Sequence, residues 1–225
     1  MKADTLERLW VALQDTLTSK ERPAIVAIGG AECSGKTYLA EALSQHARLT
    51  KTSLLILPMD SYLRFSRHER RLIARGRRGI EASAIEIGDH PDCFDFDQLR
   101  EDALSLVHSA QLPKTRHYDY VHGVVTVSEQ PVRIQAQTIV ALDGILALHD
   151  KLLLLPKIKI FVTAEPRVLM ERYIQRHLRR GVDTEATIRD RFCRVVMPVH
   201  KMFIEPTKLH ADVRLDTSQG RLDFS

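Results

Sequence analysis

The chain has 225 residues, of which 44% are apolar and 28% are charged, and its formal net charge is +4. These values exclude a disordered chain and allow one well-buried α/β domain over residues 1–225, whereas two domains would need a longer chain. No apolar run approaches the about 20 residues that span a bilayer, and residues 1–8 lack the apolar core of a secretory signal, so we expect a cytoplasmic protein with no membrane partner.

The first half of the chain alternates between helical and strand patterns. Leucines at helical spacing predict an amphipathic helix over residues 1–20 that packs on the domain. A short apolar run at 24–28 predicts a buried strand, followed by a helix over about 36–46 and a second buried strand at 53–59. A further helix is predicted over 97–110, because its apolar residues fall on one stripe.

The second half continues this alternation. The segments 118–121 and 124–127 flank His122-Gly123 and predict a β-hairpin. Apolar runs at 138–142 and 159–163 predict two more buried strands.

The last third of the chain contributes two helices and a closing strand. One helix is predicted over 166–181, with proline at its start and glycine at its end, and another from about 185 toward 204. A strand at 211–215 would close the sheet. The whole pattern predicts an α/β fold whose mostly parallel five-stranded sheet is covered by helices on both faces, with a small β-hairpin and a helical lid.

The segment after the first strand carries a phosphate-binding motif. It matches G-x-x-x-x-G-K-[ST] and lies between a predicted strand and a predicted helix. Such a loop turns successive backbone N–H groups toward phosphates, and the following helix adds its positive end. The lysine should reach the β- and γ-phosphates of ATP, and the threonine hydroxyl should bind Mg²⁺. The predicted cradle consists of Gly30, Ala31, Glu32, Cys33, Ser34, Gly35, Lys36 and Thr37.

One residue of this loop is unusual. Glu32 would place an anion beside the phosphates, which is unfavourable unless its side chain points to solvent.

The motif alone does not identify a reaction. GTPases of this class also need D-x-x-G and N-K-x-D motifs, and neither is present, nor is a second ATPase signature of the transporter or helicase kind. A small-molecule kinase is therefore favoured.

Two aspartates follow predicted buried strands. Asp60 and Asp143 should both face the cradle, because ligands collect at the carboxyl ends of parallel strands. Asp143 is the metal-binding candidate and Asp60 the candidate base on an attacking hydroxyl or a second metal ligand. The alternative for each is an ordinary turn residue.

Five further segments follow the loop in a characteristic order. They read PMDSY at 58–62, DHPDCFD at 89–95, YDY at 118–120, DGIL at 143–146 and FIEPTKLHAD at 203–212. This series resembles the uridine kinases of the phosphoribulokinase and uridine kinase superfamily over about residues 24–212. The resemblance implies a P-loop kinase fold and transfer of the ATP γ-phosphate to the 5′-hydroxyl of uridine or cytidine, in pyrimidine salvage.

The resemblance also implies roles for individual residues. Asp60 would be the catalytic base beside Lys36, with Asp60, Thr37 and Asp143 around Mg²⁺. Asp89 would hold the ribose hydroxyls of the acceptor. Acceptor contacts are further implied for Tyr118, Tyr120 and Arg172.

A basic stripe on the helix over 166–181 adds candidates for the phosphates. By spacing alone, Arg172, Arg176, Arg179 and Arg180 fall on one helical face. Arg176 and Arg180 are the expected ATP contacts within this stripe, which could neutralise charge on the transferred phosphoryl group. The alternative is an ordinary solvated face.

The sequence also departs from the uridine kinase pattern. The connection after the YDY segment is short and leaves only His122 as a possible reader of the base. Asp143 replaces a glutamate, and Val182 and Gln175 stand where arginines are usual. The arginine-rich segment 64–78 is longer than usual and could be a lid, a site for an acidic substrate, or a solvated surface.

These departures leave the acceptor open. The alternatives to a nucleoside are a sugar phosphate, pantothenate or glycerate, and a third possibility is a regulatory protein that binds ATP without turnover. Nucleic acid is not an expected partner, because the basic residues form no reading motif. A homo-oligomer is neither predicted nor excluded.

Overall fold

The computed structural model describes residues 3–16, 23–50, 52–181 and 183–224. The helices within these ranges are α1 (Ala3–Thr16), α2 (Lys36–Leu49), α3 (Arg67–Ala74), α4 (Gly79–Ile87), α5 (Phe96–Ser109), α6 (Pro166–Arg179), α7 (Glu185–Arg191) and α8 (Met197–Val199). Short 3₁₀ helices lie at Met59–Tyr62, Pro91–Cys93, Asp150–Leu152 and Glu205–His210.

The strands form one main sheet and two small ones. They are β1 (Ala24–Gly30), β2 (Ser53–Pro58), β3 (Gln111–Leu112), β4 (Thr115–Asp119), β5 (Val124–Ser128), β6 (Val132–Arg133), β7 (Thr138–Asp143), β8 (Ile158–Thr163), β9 (Val213–Asp216) and β10 (Arg221–Phe224). The main sheet has the order β10-β9-β8-β1-β7-β2, and all its pairs are parallel except β10 with β9.

The five parallel strands are those that the sequence predicts, and the α/β class is confirmed. The prediction of five strands is wrong by one, since β10 adds an antiparallel edge. Leu222 is the only buried residue of β10, so the strand lacks the apolar run that marks the others.

Alternate residues of β1 pack into two separate cores, one on each face of the sheet. Val26 and Ile28 pack with Leu9, Trp10 and other apolar residues of α1 and α2. Ile25 and Ala27 face the other core, which includes apolar residues of α5. The expected coverage of both faces by helices is therefore observed.

The amphipathic N-terminal helix is confirmed over α1, where Leu9, Trp10 and Leu13 are fully buried. The prediction extended this helix over residues 1–20, and residues 1–2 and 17–20 lie outside the described residues.

The predicted hairpin is formed by β4 and β5, which pair only with each other. Its first strand ends at Asp119, so Tyr120 and Val121 lie in the turn instead of in the predicted strand. The Asp119 carboxylate accepts hydrogen bonds from the backbone N–H groups of Val121 and His122, at 2.8 and 3.1 Å. Side-chain bonds of this kind turn the chain before the strand can continue.

The predicted last helix is a continuous helical run that changes its winding. Between α7 and α8, and again after α8, the chain is π-helical, at Phe192–Val196 and His200–Ile204. Pro198 lies in α8 and has no N–H to donate, which disfavours regular α-helical bonding through this run. No helix in the described ranges has both the length and the apolar character needed to cross a bilayer.

Candidate active site

The strand order brings the predicted site residues to one edge of the sheet. β1 lies between β8 and β7 in the sheet. From the carboxyl ends of these strands the chain connections leave toward opposite sides and open a crevice, which is the usual ligand site in such sheets. Asp143 is in register with Ile28 of β1 and with Pro58 of β2. Asp60 follows two residues after Pro58.

The loop after β1 has the backbone of a phosphate cradle. Gly30 has a φ of +130°, and a Cβ atom there would lie 2.0 Å from the Val162 carbonyl oxygen. Only glycine therefore allows β1 to pass β8 and enter the loop. α2 begins at Lys36 with no side-chain cap, so the first N–H groups of this 14-residue helix are available to an anion.

The Lys36 ammonium is folded back into the loop. It is buried, and its Nζ donates a hydrogen bond to the Ala31 carbonyl oxygen at 2.7 Å. Burial lowers the pKa of Lys36, while the nearby carboxylates of Asp143 and Glu32 act in the opposite direction. The ammonium therefore lies inside the cradle, among anions.

Asp143 and Thr37 form the part of the site that fits a magnesium ion. The Thr37 hydroxyl donates to Asp143 Oδ2 at 2.9 Å, while Asp143 Oδ1 is buried and has no hydrogen-bond partner among the described residues. Burial raises the pKa of Asp143, against the effect of Lys36. An unpartnered carboxylate oxygen beside a hydroxyl suits Mg²⁺, which binds through one or two carboxylates together with phosphate oxygens.

Asp60 is the point where the hairpin meets the sheet. Tyr120, in the hairpin turn, donates its hydroxyl to Asp60 Oδ2 at 2.7 Å. The Arg180 guanidinium, directly after α6, lies 6.0 Å from the centre of the Tyr120 ring. The end of α6 therefore lies beside the hairpin turn that contacts the base candidate, and the predicted contact of Arg180 with ATP stays a prediction.

Glu32 is compensated by an arginine instead of pointing to open solvent. Arg176 Nη1 lies 3.6 Å from Glu32 Oε1 and 3.9 Å from Cys33 Sγ. Burial raises the pKa of Glu32, and Arg176 and Lys36 oppose that rise. Arg176 thus lies at the cradle, as its predicted role requires, and explains how the loop tolerates a carboxylate.

Asp89 lies directly after α4 and belongs to the same group of acids. Gly88 ends α4 in the left-handed conformation, and the Asp89 N–H donates to the Ala84 carbonyl at 2.9 Å, which holds the backbone of Asp89 at the end of the helix. Burial raises the pKa of Asp89 well above its ordinary value, and the carboxylates of Glu32 and Asp60 raise it further. Asp89 is therefore near enough to Glu32, Asp60 and Lys36 to interact electrostatically with all three.

Arg172 contacts the outside of the phosphate loop. Its Nη1 donates to the Thr217 hydroxyl at 2.8 Å and to the carbonyls of Ser34 and Cys33 at 3.3 and 3.4 Å. The predicted contact of Arg172 with the acceptor stays a prediction. Thr217 follows β9, and its hydroxyl donates to the Ser34 carbonyl at 2.8 Å. The sequence did not predict this residue as part of the site, since no local signal marks it.

The two tyrosines and the histidine of the hairpin differ in their surroundings. Tyr118 is buried and packs edge-to-face on Tyr120, with ring centres 4.9 Å apart. The His122 side chain is 74% exposed, and its Nδ1 forms a hydrogen bond with the Asp119 carboxylate that lowers the pKa of Asp119 to about 2. The structure brings Tyr120 to Asp60, packs Tyr118 behind it, and leaves the His122 side chain exposed.

Comparisons with known proteins agree with this geometry. The model of the Phosphoribulokinase / Uridine kinase family matches residues 25–221. A uridine kinase of Oceanobacillus iheyensis is 30% identical over 87% of this chain and 87% of its own length, and one of Bacillus cereus is 33% identical over 85% and 84%. The solved structure of D-glycerate 3-kinase from Cryptococcus neoformans superposes with a TM-score of 0.67 at 12% identity, covering 98% of this chain and 99% of that one.

The cradle yields a prediction for Lys36→Ala. Because a hydrogen bond to a charged group contributes about 1.5–3 kcal/mol, Mg-ATP affinity should fall roughly 10- to 100-fold. Isothermal calorimetry measures this, with the exposed Lys157→Ala as the matched control. Unchanged Mg-ATP affinity in a folded Lys36→Ala protein would show that the loop does not hold the triphosphate.

A second prediction concerns Asp89→Asn. The folded-state pKa of Asp89 is raised, so the folded protein is destabilised relative to the unfolded chain as pH rises through the ordinary carboxyl pKa and toward the raised one. Removing the charge should raise the melting temperature at pH 7 by about 2–4 °C and have less effect under acid conditions. Glu86→Gln, an exposed acid on α4, serves as control, and a lower melting temperature for Asp89→Asn at pH 7 would contradict the assigned direction of the pKa shift.

Proposed function

This chain belongs to the phosphoribulokinase and uridine kinase family of ATP-dependent phosphotransferases, and on that premise we propose that it phosphorylates the 5′-hydroxyl of uridine or cytidine. The observation that carries the proposal is the position of Asp60, which lies near the cradle lysine Lys36 and accepts a hydrogen bond from Tyr120, the hairpin tyrosine on which Tyr118 packs. The curated relatives above are uridine kinases. Their family membership favours an enzyme over a regulatory protein that only binds ATP.

ATP would be held by the cradle, and its Mg²⁺ by the acids around the cradle. The uncapped N-terminus of α2 and the Lys36 ammonium supply positive charge for the β- and γ-phosphates. Thr37 and Asp143 would hold Mg²⁺, with Asp60 near enough to help place it. When bound, the ion neutralises charge on the transferred phosphoryl group.

Asp60 would accept the proton of the attacking hydroxyl. Its Oδ2 already accepts a hydrogen bond from a hydroxyl, that of Tyr120, at 2.7 Å, which is within the range required of a general base. An acceptor hydroxyl would take the place of the Tyr120 hydroxyl on this oxygen. Proton transfer to Asp60 would then accompany attack on the γ-phosphorus.

The acceptor would be held between Asp89 and the hairpin. A carboxylate such as Asp89 can accept hydrogen bonds from two neighbouring hydroxyls of a ribose. The edge-to-face rings of Tyr118 and Tyr120 offer an aromatic surface for a planar base. Both features suit a nucleoside.

A second candidate is a kinase of the same superfamily with a different acceptor. The observation that favours it is the exposure of the His122 side chain, which leaves no candidate reader for the base among the residues predicted from sequence. One protein of similar fold is a D-glycerate 3-kinase, which shows that the fold also serves acceptors without a base.

The acceptor can be identified with a panel of substrates. ADP release should depend on uridine or cytidine, and should be absent with pantothenate, ribulose 5-phosphate and glycerate. Release only with one of these other acceptors would replace the first candidate by the second. ATP binding without release across the panel would contradict the proposed function.

The role of Asp60 predicts a separation of catalysis from ATP binding. Asp60→Asn should lower kcat by about 10²- to 10⁴-fold, the contribution of a general base, and change Mg-ATP affinity much less. Steady-state kinetics and calorimetry on the same preparation measure the two effects, with the exposed Asp97→Asn as control. A kcat within threefold of the wild type, on the order of measurement error in such comparisons, would exclude Asp60 as the base.

A further inference from the structure

We infer that Arg67 and Arg70 of α3 are positioning residues that hold the hairpin turn so that Tyr120 and the acceptor surface meet Asp60. This assigns a role to the arginine-rich segment 64–78, for which the sequence left a lid, an acidic-substrate site and a solvated surface as alternatives. The inference has a structural part, that the two arginines hold the hairpin turn, and a catalytic part, that this hold supports phosphorylation of the acceptor. Only the catalytic part rests on the proposed function.

Arg67 binds the hairpin turn through three carbonyl oxygens. Its backbone N–H donates to Gly123 O at 2.8 Å, and its guanidinium donates to Tyr120 O at 2.7 Å and to Val121 O at 3.4 Å. Gly123 has a φ of +71°, and a Cβ atom there would lie 2.7 Å from Arg67 Cβ. The arginine and the turn are therefore packed against each other with no room for a side chain between them.

Arg70 holds the tyrosine at the base of the same turn. It is only 3% exposed, and its guanidinium donates to the Phe65 carbonyl at 2.9 Å and to the Tyr118 hydroxyl at 3.3 Å. No carboxylate lies within 4.0 Å of Arg67 or Arg70 among the described residues, so neither guanidinium forms an ion pair there. The guanidinium donors that are paired in both arginines go to the hairpin and to the chain that leads into α3, and the buried Arg70 Nε has no partner among the described residues.

The start of α3 fixes the direction of both side chains. Ser66 and Glu69 form a reciprocal capping box, with the Glu69 N–H donating to Ser66 Oγ at 3.2 Å and the Ser66 N–H donating to Glu69 Oε2 at 2.7 Å. This sets the first turn of the helix, and residues three apart such as Arg67 and Arg70 then lie on the same face.

The hairpin needs such support because it is a two-stranded sheet. β4 and β5 pair only with each other, and an isolated hairpin is at best marginally stable in water. Contacts from α3 thus supply order that the strands cannot supply alone. Through the turn, they determine where the Tyr120 hydroxyl lies relative to Asp60.

Among the residues that the structure describes, no other arginine of the segment donates a side-chain hydrogen bond to the hairpin. Arg77 pairs with Glu81 one helical turn later, at 3.7 Å, and Arg71 is exposed on α3. Arg71 therefore provides a matched control on the same helix. A direct anion-binding role, in which the arginines would contact a phosphorylated acceptor, is the alternative that the experiment must separate from positioning.

The structural part is tested by hydrogen exchange on the full chain without ligand. In Arg67→Ala, amides of the segment 115–128 should exchange about tenfold faster or more, while those of β1 and β7 should not change. Arg71→Ala should leave the hairpin as in the wild type. Unchanged exchange in Arg67→Ala, or an equal effect of Arg71→Ala, would overturn the inference.

Arg70 is tested through its partner because a buried arginine can be needed for folding. Tyr118→Phe removes only the hydroxyl that Arg70 contacts and keeps the ring. Faster hairpin exchange in this variant supports the role of Arg70, and unchanged exchange would remove Arg70 from the inference.

The catalytic part is tested by kinetics with the acceptor found in the panel. In Arg67→Ala, kcat/KM for the acceptor should fall roughly 10- to 100-fold, with Mg-ATP affinity unchanged. Arg67→Lys should not restore it, since an ammonium cannot bridge two carbonyl oxygens as a guanidinium does. Full rescue by Arg67→Lys would overturn positioning in favour of anion binding. If no acceptor is phosphorylated by the wild type, the proposed function fails, and the exchange result still decides the structural part.

Discussion

Charge compensation around the buried Lys36 ammonium is the constraint on which the site depends. Asp143 and Glu32 both act on this cation, and Arg176 in turn pairs with Glu32. Acids from three neighbouring segments can converge here because the ends of β1, β7 and β2 are in register. The arrangement is costly without a ligand, since burial raises the pKa values of the Glu32, Asp89 and Asp143 carboxyls, and a cation bound at Asp143 would relieve the part of that cost that falls on Asp143.

The parts of this site that can be predicted from sequence are those set by strand ends. The apolar runs before Gly30 and Asp143 mark buried parallel strands, whereas the run before Asp60 marks β2, an edge strand in which only Leu57 is buried. The topology of such sheets brings the carboxyl ends of all three strands together. The cradle could be predicted because its glycines and lysine lie close together in sequence. These elements depend on backbone geometry that short segments determine.

The parts that could not be predicted depend on contacts distant in sequence. Thr217 contacts the phosphate loop from 183 residues away, and Arg67 binds a turn more than 50 residues later in the chain. Glu32 and Arg176 are also distant in sequence, and their pairing explains how the loop tolerates an anion. Spacing placed the arginines of α6 on one face, but it could not show that Arg172 contacts Thr217, Arg176 pairs with Glu32 and Arg180 lies near the Tyr120 ring.

The separation of the hairpin from the main sheet has a consequence for how such enzymes diversify. β4 and β5 share no strand pairing with the six-stranded sheet, so substitutions in the hairpin leave the ladder that carries the cradle intact. Selection could therefore exchange one acceptor for another in small steps, each tolerated by the scaffold, while phosphate handling is inherited unchanged. For the same reason, a designer seeking altered specificity should randomise the hairpin and its contacts with α3 before any strand of the sheet.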